Sequence, residues 1–139
     1  AVGDYQLVET NAPAGYTLDT APVNFTIAFN QNVAASVTKE NVSKTGSVIL
    51  TKKDNVLNTT LADAKFELQT ANGTKIKEAL VTGVDGKIEV ADLAPGDYQL
   101  VETKAQMGYQ LDTTPLTFTI ELNQAKPINI TKENTLKTG

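Results

Sequence analysis

Gly96-Asp97-Tyr98-Gln99-Leu100-Val101-Glu102-Thr103 occurs twice in this 139-residue chain, its other copy being Gly3-Asp4-Tyr5-Gln6-Leu7-Val8-Glu9-Thr10. In an extended backbone Tyr98, Leu100 and Glu102 fall on one side and Gln99, Val101 and Thr103 on the other. Pro95-Gly96-Asp97 just ahead is a turn signal, and the period of two marks a β-strand. One face of that strand is apolar until it reaches a glutamate.

The duplication extends outward from the octapeptide. Residues 1–46 align without a gap onto residues 94–139, and 28 of the 46 pairs are identical. The matching blocks include the two Gly-Tyr-x-Leu-Asp-Thr stretches and Thr38-Lys39-Glu40-Asn41 with Thr131-Lys132-Glu133-Asn134. Both copies close on Lys-Thr-Gly, and the first runs directly into Ser47-Val48-Ile49-Leu50. We therefore expect a complete unit at 47–139 and the C-terminal half of a preceding unit at 1–46, tandem repeats with the first truncated. A start inside a unit, with no initiator Met, reads as a piece of a longer protein.

Within 47–139, short β-rich runs are punctuated at Asn72-Gly73, Asp85-Gly86 and Pro95-Gly96-Asp97, the pattern of antiparallel strands and hairpins. About seven strands are expected, near 47–53, 64–70, 74–78, 87–91, 97–103, 115–121 and 126–134. No helical periodicity competes, so the fold class is all-β, an immunoglobulin-like sandwich. Alternation puts Val48, Leu50, Phe66, Leu68, Ile88, Val90, Tyr98, Leu100, Leu116, Phe118, Ile120, Ile128 and Ile130 in the core. Residues 1–46 hold only the last three strands of such a unit and cannot close a sandwich alone. If ordered, they are expected to be completed by strands of another chain or by a swapped arrangement.

Composition narrows the function classes. Hydrophobic residues make up 40% and charged residues 20%, ordinary for a folded domain. Sixteen acidic against twelve basic residues give a net charge of -4, with no lysine cluster to track phosphates, so nucleic acid and anionic membranes are not expected partners. No apolar run is long enough to span a membrane, and no signal peptide is seen. With no Cys, His or Trp, the usual metal ligands, thiol and imidazole nucleophiles and disulfides are all missing, so neither an enzyme nor a cofactor or metal is expected.

Carrying the parity to the strand ends turns three polar residues inward: Lys52 with Val48 and Leu50, Glu102 with Tyr98 and Leu100, and Asn134 with Ile130. Leaving such groups unpaired in a core costs several kcal/mol for a charge and roughly 1–3 for an amide, so they should meet one another or lie where the core opens. An ordinary Lys52–Glu102 ion pair, with Asn134 capping a strand, satisfies that demand. Lys53 and Glu133 fall on the outer face, and Lys53 is the reserve for Lys52. Tyr98 and Tyr109 read as core or corner tyrosines with no ligand.

These residues resemble the Cna-B-type (SpaA-like) repeats of Gram-positive surface adhesins and pilins. The carriers are Val48-Ile49-Leu50-Thr51-Lys52-Lys53-Asp54, Leu61-Ala62-Asp63-Ala64-Lys65-Phe66-Glu67-Leu68, Leu93-Ala94-Pro95-Gly96-Asp97-Tyr98, Val101-Glu102-Thr103 with Gly108-Tyr109, and Lys132-Glu133-Asn134. Together they span essentially the whole chain. The resemblance implies a prealbumin-like, inverse-immunoglobulin sandwich and an intramolecular isopeptide bond between Lys52 and Asn134, assisted by Glu102. A neutral Lys52 amine would attack the Asn134 side-chain carbonyl, with Glu102 polarising that carbonyl and shuttling protons as ammonia leaves. Each molecule reacts once. Glu9 and Asn41 are the equivalents in the truncated repeat.

One feature departs from the family pattern. Lys132 stands at an inward position where the family more often has a small or apolar residue, and a bulge there would change the phase and make Asn129 the reserve partner. The counterpart of Asn129 is Ser36, which has no carboxamide, whereas Asn134 pairs with Asn41. Leu136-Lys137-Thr138-Gly139 lacks the proline of a sorting signal and reads as a linker to another repeat.

The resemblance implies a stalk or spacer module on the bacterial cell surface, extracellular, in a wall-anchored parent, with neighbouring repeats as partners. A module binding an unidentified host matrix protein or glycan, or a polymerising pilin backbone domain, are the alternatives.

Overall fold

The structure is a computed structural model and describes residues 1–138. Nine strands form: β1 (Gly3–Leu7), β2 (Val23–Ile27), β3 (Gly46–Asp54), β4 (Lys65–Thr70), β5 (Lys75–Val81), β6 (Lys87–Leu93), β7 (Gly96–Lys104), β8 (Leu116–Ile120) and β9 (Ile128–Asn134). The last seven coincide with the seven expected strands. They make a three-stranded sheet ordered β6-β3-β9 and a four-stranded sheet ordered β5-β4-β7-β8. The fold is an all-β sandwich with the prealbumin-like arrangement.

Core residues come from both sheets, as alternation requires. Val48, Leu50, Ile88 and Val90 project from one; Phe66, Leu68, Tyr98, Leu100, Phe118 and Ile120 project from the other. Leu116, Ile128 and Ile130 pack at the margin. Tyr98 stacks on Phe118 with ring centroids 5.6 Å apart, and its hydroxyl donates to the Ala94 carbonyl at 2.6 Å, a corner role with no ligand.

The first and last strands of the sandwich are neighbours and run parallel. β3 and β9 keep an unbroken register from Val48 opposite Ile128 to Asp54 opposite Asn134. Parallel neighbours need a long crossover, and all of β4–β8 intervenes here. Because no bulge interrupts β9, the inward parity of Lys132 and Asn134 stands, and Asn129 faces out.

The two strands of residues 1–46 pair only with each other. Their register, Tyr5 opposite Phe25 and Leu7 opposite Val23, repeats that of Tyr98 opposite Phe118 and Leu100 opposite Leu116. Three strands were expected here, but the third does not form. Its counterpart β9 pairs with β3 alone, and residues 1–46 contain nothing like β3. An extended segment with no neighbour has no ladder to join.

Candidate functional site

Lys52 enters the core from β3, Glu102 from β7 and Asn134 from β9, so the three come from both sheets and meet between them. They are 0%, 1% and 2% exposed. Lys52 Nζ lies 3.7 Å from Glu102 Oε1, too long for a hydrogen bond. Asn134 Nδ2 donates to Glu102 Oε2 at 3.0 Å and to the Gln110 carbonyl at 2.9 Å. All three expected residues are therefore gathered around one carboxylate.

The orientation of Asn134 carries chemical information. A backbone carbonyl can only accept, so Gln110 fixes which side of the amide is nitrogen. Glu102 consequently faces the amide nitrogen, and the carbonyl oxygen it was expected to polarise points elsewhere. Within this triad Lys52 Nζ, Glu102 Oε1 and Asn134 Oδ1 have no hydrogen-bond partner. A settled buried ion pair would satisfy its donors and acceptors; this one leaves amine, carboxylate oxygen and carbonyl oxygen open.

Electrostatics favour a reactive amine. Burial is the largest influence on Lys52 and pushes its pKa below that of a free lysine; Glu102 opposes this and the Lys132 ammonium adds to it.

Lys132, the departure from the family pattern, is inward but compensated. Its ammonium contacts Asp112 at 3.1 Å and donates to the Thr114 carbonyl at 3.0 Å. The Thr114 backbone N–H and the Lys132 ammonium hold the Asp112 carboxyl down to about 2. The Asp112 backbone N–H in turn donates to Glu102 Oε2 at 3.1 Å. The loop 110–114 thus contributes a carbonyl to the amide and an N–H to the acid. Sequence reasoning gave this loop no role, although its duplicated Leu-Asp-Thr was visible at Leu18-Asp19-Thr20.

Asp54, one step beyond Lys52 on the same face, was also missed. It is buried and accepts from the backbone N–H groups of Val56 and Leu57 and from the Tyr109 hydroxyl at 2.8 Å. Those bonds, led by Leu57, lower its pKa. Tyr109 therefore pins its loop to the end of β3. Lys53 is only partly buried and Glu133 is exposed; they face each other in the register, away from the core.

Residues 1–42 and 46–135 match the family model for the SpaA prealbumin-like fold domain. A comparison with curated proteins finds no match. Among solved structures, the major pilin subunit BcpA of Bacillus cereus is similar at 31% identity and a TM-score of 0.61, over 66% of this chain and 29% of that one. The minor pilin GBS52 of the Gram-positive pathogen Streptococcus agalactiae is 31% identical with a TM-score of 0.62, over 69% of this chain and 46% of that one. The Bacillus anthracis TIE protein is 26% identical with a TM-score of 0.70, over 97% of this chain and 25% of that one. The chain spans less than half the length of each.

Proposed function

We propose, from the premise that this chain belongs to the SpaA family of prealbumin-like fold domains, that it is a load-bearing module of a Gram-positive surface pilus or adhesin, with residues 47–139 as one unit and residues 1–46 as part of another. Its partners are neighbouring modules of the same surface protein, and it holds a distal binding region away from the cell wall. Each complete module locks itself with a Lys52–Asn134 isopeptide bond.

The observation that carries this reading is the position of Glu102, which has one oxygen 3.7 Å from the Lys52 amine and accepts a hydrogen bond from the Asn134 amide nitrogen with the other. In the reaction the Lys52 Nζ–Asn134 Cγ bond forms and the Cγ–Nδ2 bond breaks. Glu102 takes a proton from Nζ and delivers it to Nδ2, which leaves as ammonia. A carboxylate facing the leaving nitrogen suits that transfer. Lys52, Glu102 and Asn134 are buried, which limits access of bulk water to the acyl carbon.

An intact-mass measurement tests the bond. The expected value is the sequence mass less one ammonia, with a Lys52–Asn134 crosslinked peptide after digestion. A full sequence mass in folded protein would overturn the proposal and leave an ordinary buried polar cluster.

A further inference from the structure

We propose that Lys132 is a positioning residue for the Lys52–Asn134 crosslink: tied to Asp112 and Thr114, it latches the loop 110–114 onto Glu102 and Asn134 and leaves Lys52 as the attacking amine. This rests on the isopeptide reading of that site and adds a residue outside the reacting three.

Two lysines enter this end of the core. Lys52 and Lys132 are register partners on adjacent parallel strands, 0% and 8% exposed. Lys52 stands two register positions from Asn134 and Lys132 two residues before it, so proximity alone does not select the nucleophile. Their hydrogen bonds do. The Lys132 ammonium has the Asp112 carboxylate at 3.1 Å and the Thr114 carbonyl at 3.0 Å as acceptors, whereas Lys52 Nζ has no hydrogen-bond partner. An ammonium bonded to two acceptors has no lone pair to offer a carbonyl carbon.

The same two bonds tie down the loop that holds the other reacting groups. The Gln110 carbonyl accepts from Asn134 Nδ2 at 2.9 Å, and the Asp112 N–H donates to Glu102 Oε2 at 3.1 Å. Residues 110–114 belong to no strand, so no ladder fixes them. Lys132 supplies two anchors, one on the Asp112 side chain and one on the Thr114 backbone.

The latch also forms without a reactive lysine. In residues 1–46 Lys39 contacts Asp19 at 3.2 Å and donates to the Ala21 carbonyl at 2.8 Å, while the Asp19 N–H donates to Glu9 at 3.1 Å. These are the counterparts of Lys132, Asp112, Thr114 and Glu102. The arrangement of lysine, loop and acid therefore does not depend on Lys52.

Charge adds a second effect. Glu102 on β7 and Asp112 in the loop favour the protonated Lys52 amine, and Asp54 on β3 feels the Lys52 charge. Lys132 on β9 is the cation that opposes them, while Lys87 and Glu89 of β6 are exposed. Removing the Lys132 charge should raise the pH at which Lys52 reacts, and removing the Asp112 charge should lower it.

Lys132→Met, Lys132→Arg and Asp112→Asn in the full chain test this, with intact mass followed in time after refolding at several pH values and circular dichroism as the folding check. Lys132→Met should lose ammonia about tenfold more slowly below the parent's pH midpoint, with that midpoint moved up. Lys132→Arg, which keeps the charge and can keep both bonds, should restore most of the parent rate. Asp112→Asn should move the midpoint down and slow the plateau rate. A lysine that only fills the core would shift neither midpoint, so shifts of opposite sign separate positioning from general stability. Parent-like rates and midpoint in folded Lys132→Met, with the parent losing its ammonia, overturn this inference alone. An Asp112→Asn midpoint that stays or rises also overturns it, whether or not Lys132→Met folds. A Lys132–Asn134 crosslink in a Lys52→Met chain overturns the choice of amine. A parent that loses no ammonia overturns the isopeptide reading and this inference with it.

Discussion

Lys52 and Asn134 stand two register positions apart on adjacent parallel strands, Lys52 opposite Lys132 and Asn134 opposite Asp54, with both side chains buried against Glu102 of the facing sheet. They also lie near the two ends of residues 46–134. A tie between them carries tension from the first strand directly to the last and bypasses the hydrogen bonds of the remaining strands.

Lys52→Ala should therefore lower stability by more than the loss of a surface charge would. By analogy with a disulfide closing a loop of this length, the crosslink restricts the unfolded chain by about 4 kcal/mol, less any strain. Thermal unfolding and protease resistance should fall together, and circular dichroism should still report a β-sandwich because the apolar faces are untouched. A variant that melts and digests like the parent would show that no covalent tie had been lost.

Glu102→Gln keeps the shape of the acid and removes its ability to carry a proton. The folded variant should retain its ammonia, whereas the parent loses it. Mass spectrometry on protein that passes a folding check separates this from misfolding, and complete ammonia loss in the variant would exclude Glu102 from the proton path.

The lowered pKa of Lys52 gives two signed pH effects. Bond formation in freshly refolded chain should accelerate as pH rises and level off at a midpoint below 10.5, the ordinary lysine value. In the unreactive Asn134→Ala variant, a depressed lysine pKa stabilises the fold above the unfolded value, and that stability is lost as pH falls through the folded pKa. Denaturant titrations across this range should show the variant weakening toward lower pH; a rate independent of pH would point to a step other than amine deprotonation.

Most of the sandwich was legible in sequence because alternation is enforced by burial on one face of each strand. It fails where the period slips. Leu93 is buried although Ile88 and Val90 set the opposite phase; Asp92, at φ 61°, breaks the alternation and returns Leu93 to the core. Lys52, Glu102 and Asn134 were readable as polar residues continuing an apolar parity. The supports from Gln110 and Asp112 were not, since they act through backbone groups of an irregular loop, where side-chain pattern is silent. The third strand of residues 1–46 failed to appear for a related reason: its sequence is strand-like, but strand formation depends on a partner that the local sequence does not contain.

Asp112 should support the fold near neutrality and lose that contribution in acid. With its carboxyl held at about 2, its contribution is fully present above the ordinary carboxylate range and is lost as pH falls toward that value. Asp112 is largely solvated, so screening keeps the effect below about 1 kcal/mol. Asp112→Asn should lower stability near neutrality by less than about 1 kcal/mol and flatten the loss between about pH 4 and 2, the two proteins converging in acid. An unaltered acid profile would mean that Lys132 is satisfied by the Thr114 carbonyl alone.

Gly86→Ala should disturb the site from a distance. Gly86 has φ +75°, and a Cβ there would sit 2.6 Å from the Thr60 side chain and 3.1 Å from the Lys52 carbonyl. Its own carbonyl accepts from the Lys52 N–H at 2.8 Å, while the Lys52 carbonyl accepts from Leu61 at 2.9 Å. The turn at Asp85-Gly86 thus grips the backbone that places the amine. Left-handed strain and the contact together should destabilise the unreacted fold by about 1–3 kcal/mol. Because the displacement acts on Lys52 rather than on Glu102 or Asn134, ammonia loss should slow without changing its pH midpoint. Unchanged kinetics alongside the lower stability would show that the turn supports the fold and leaves the amine where it was.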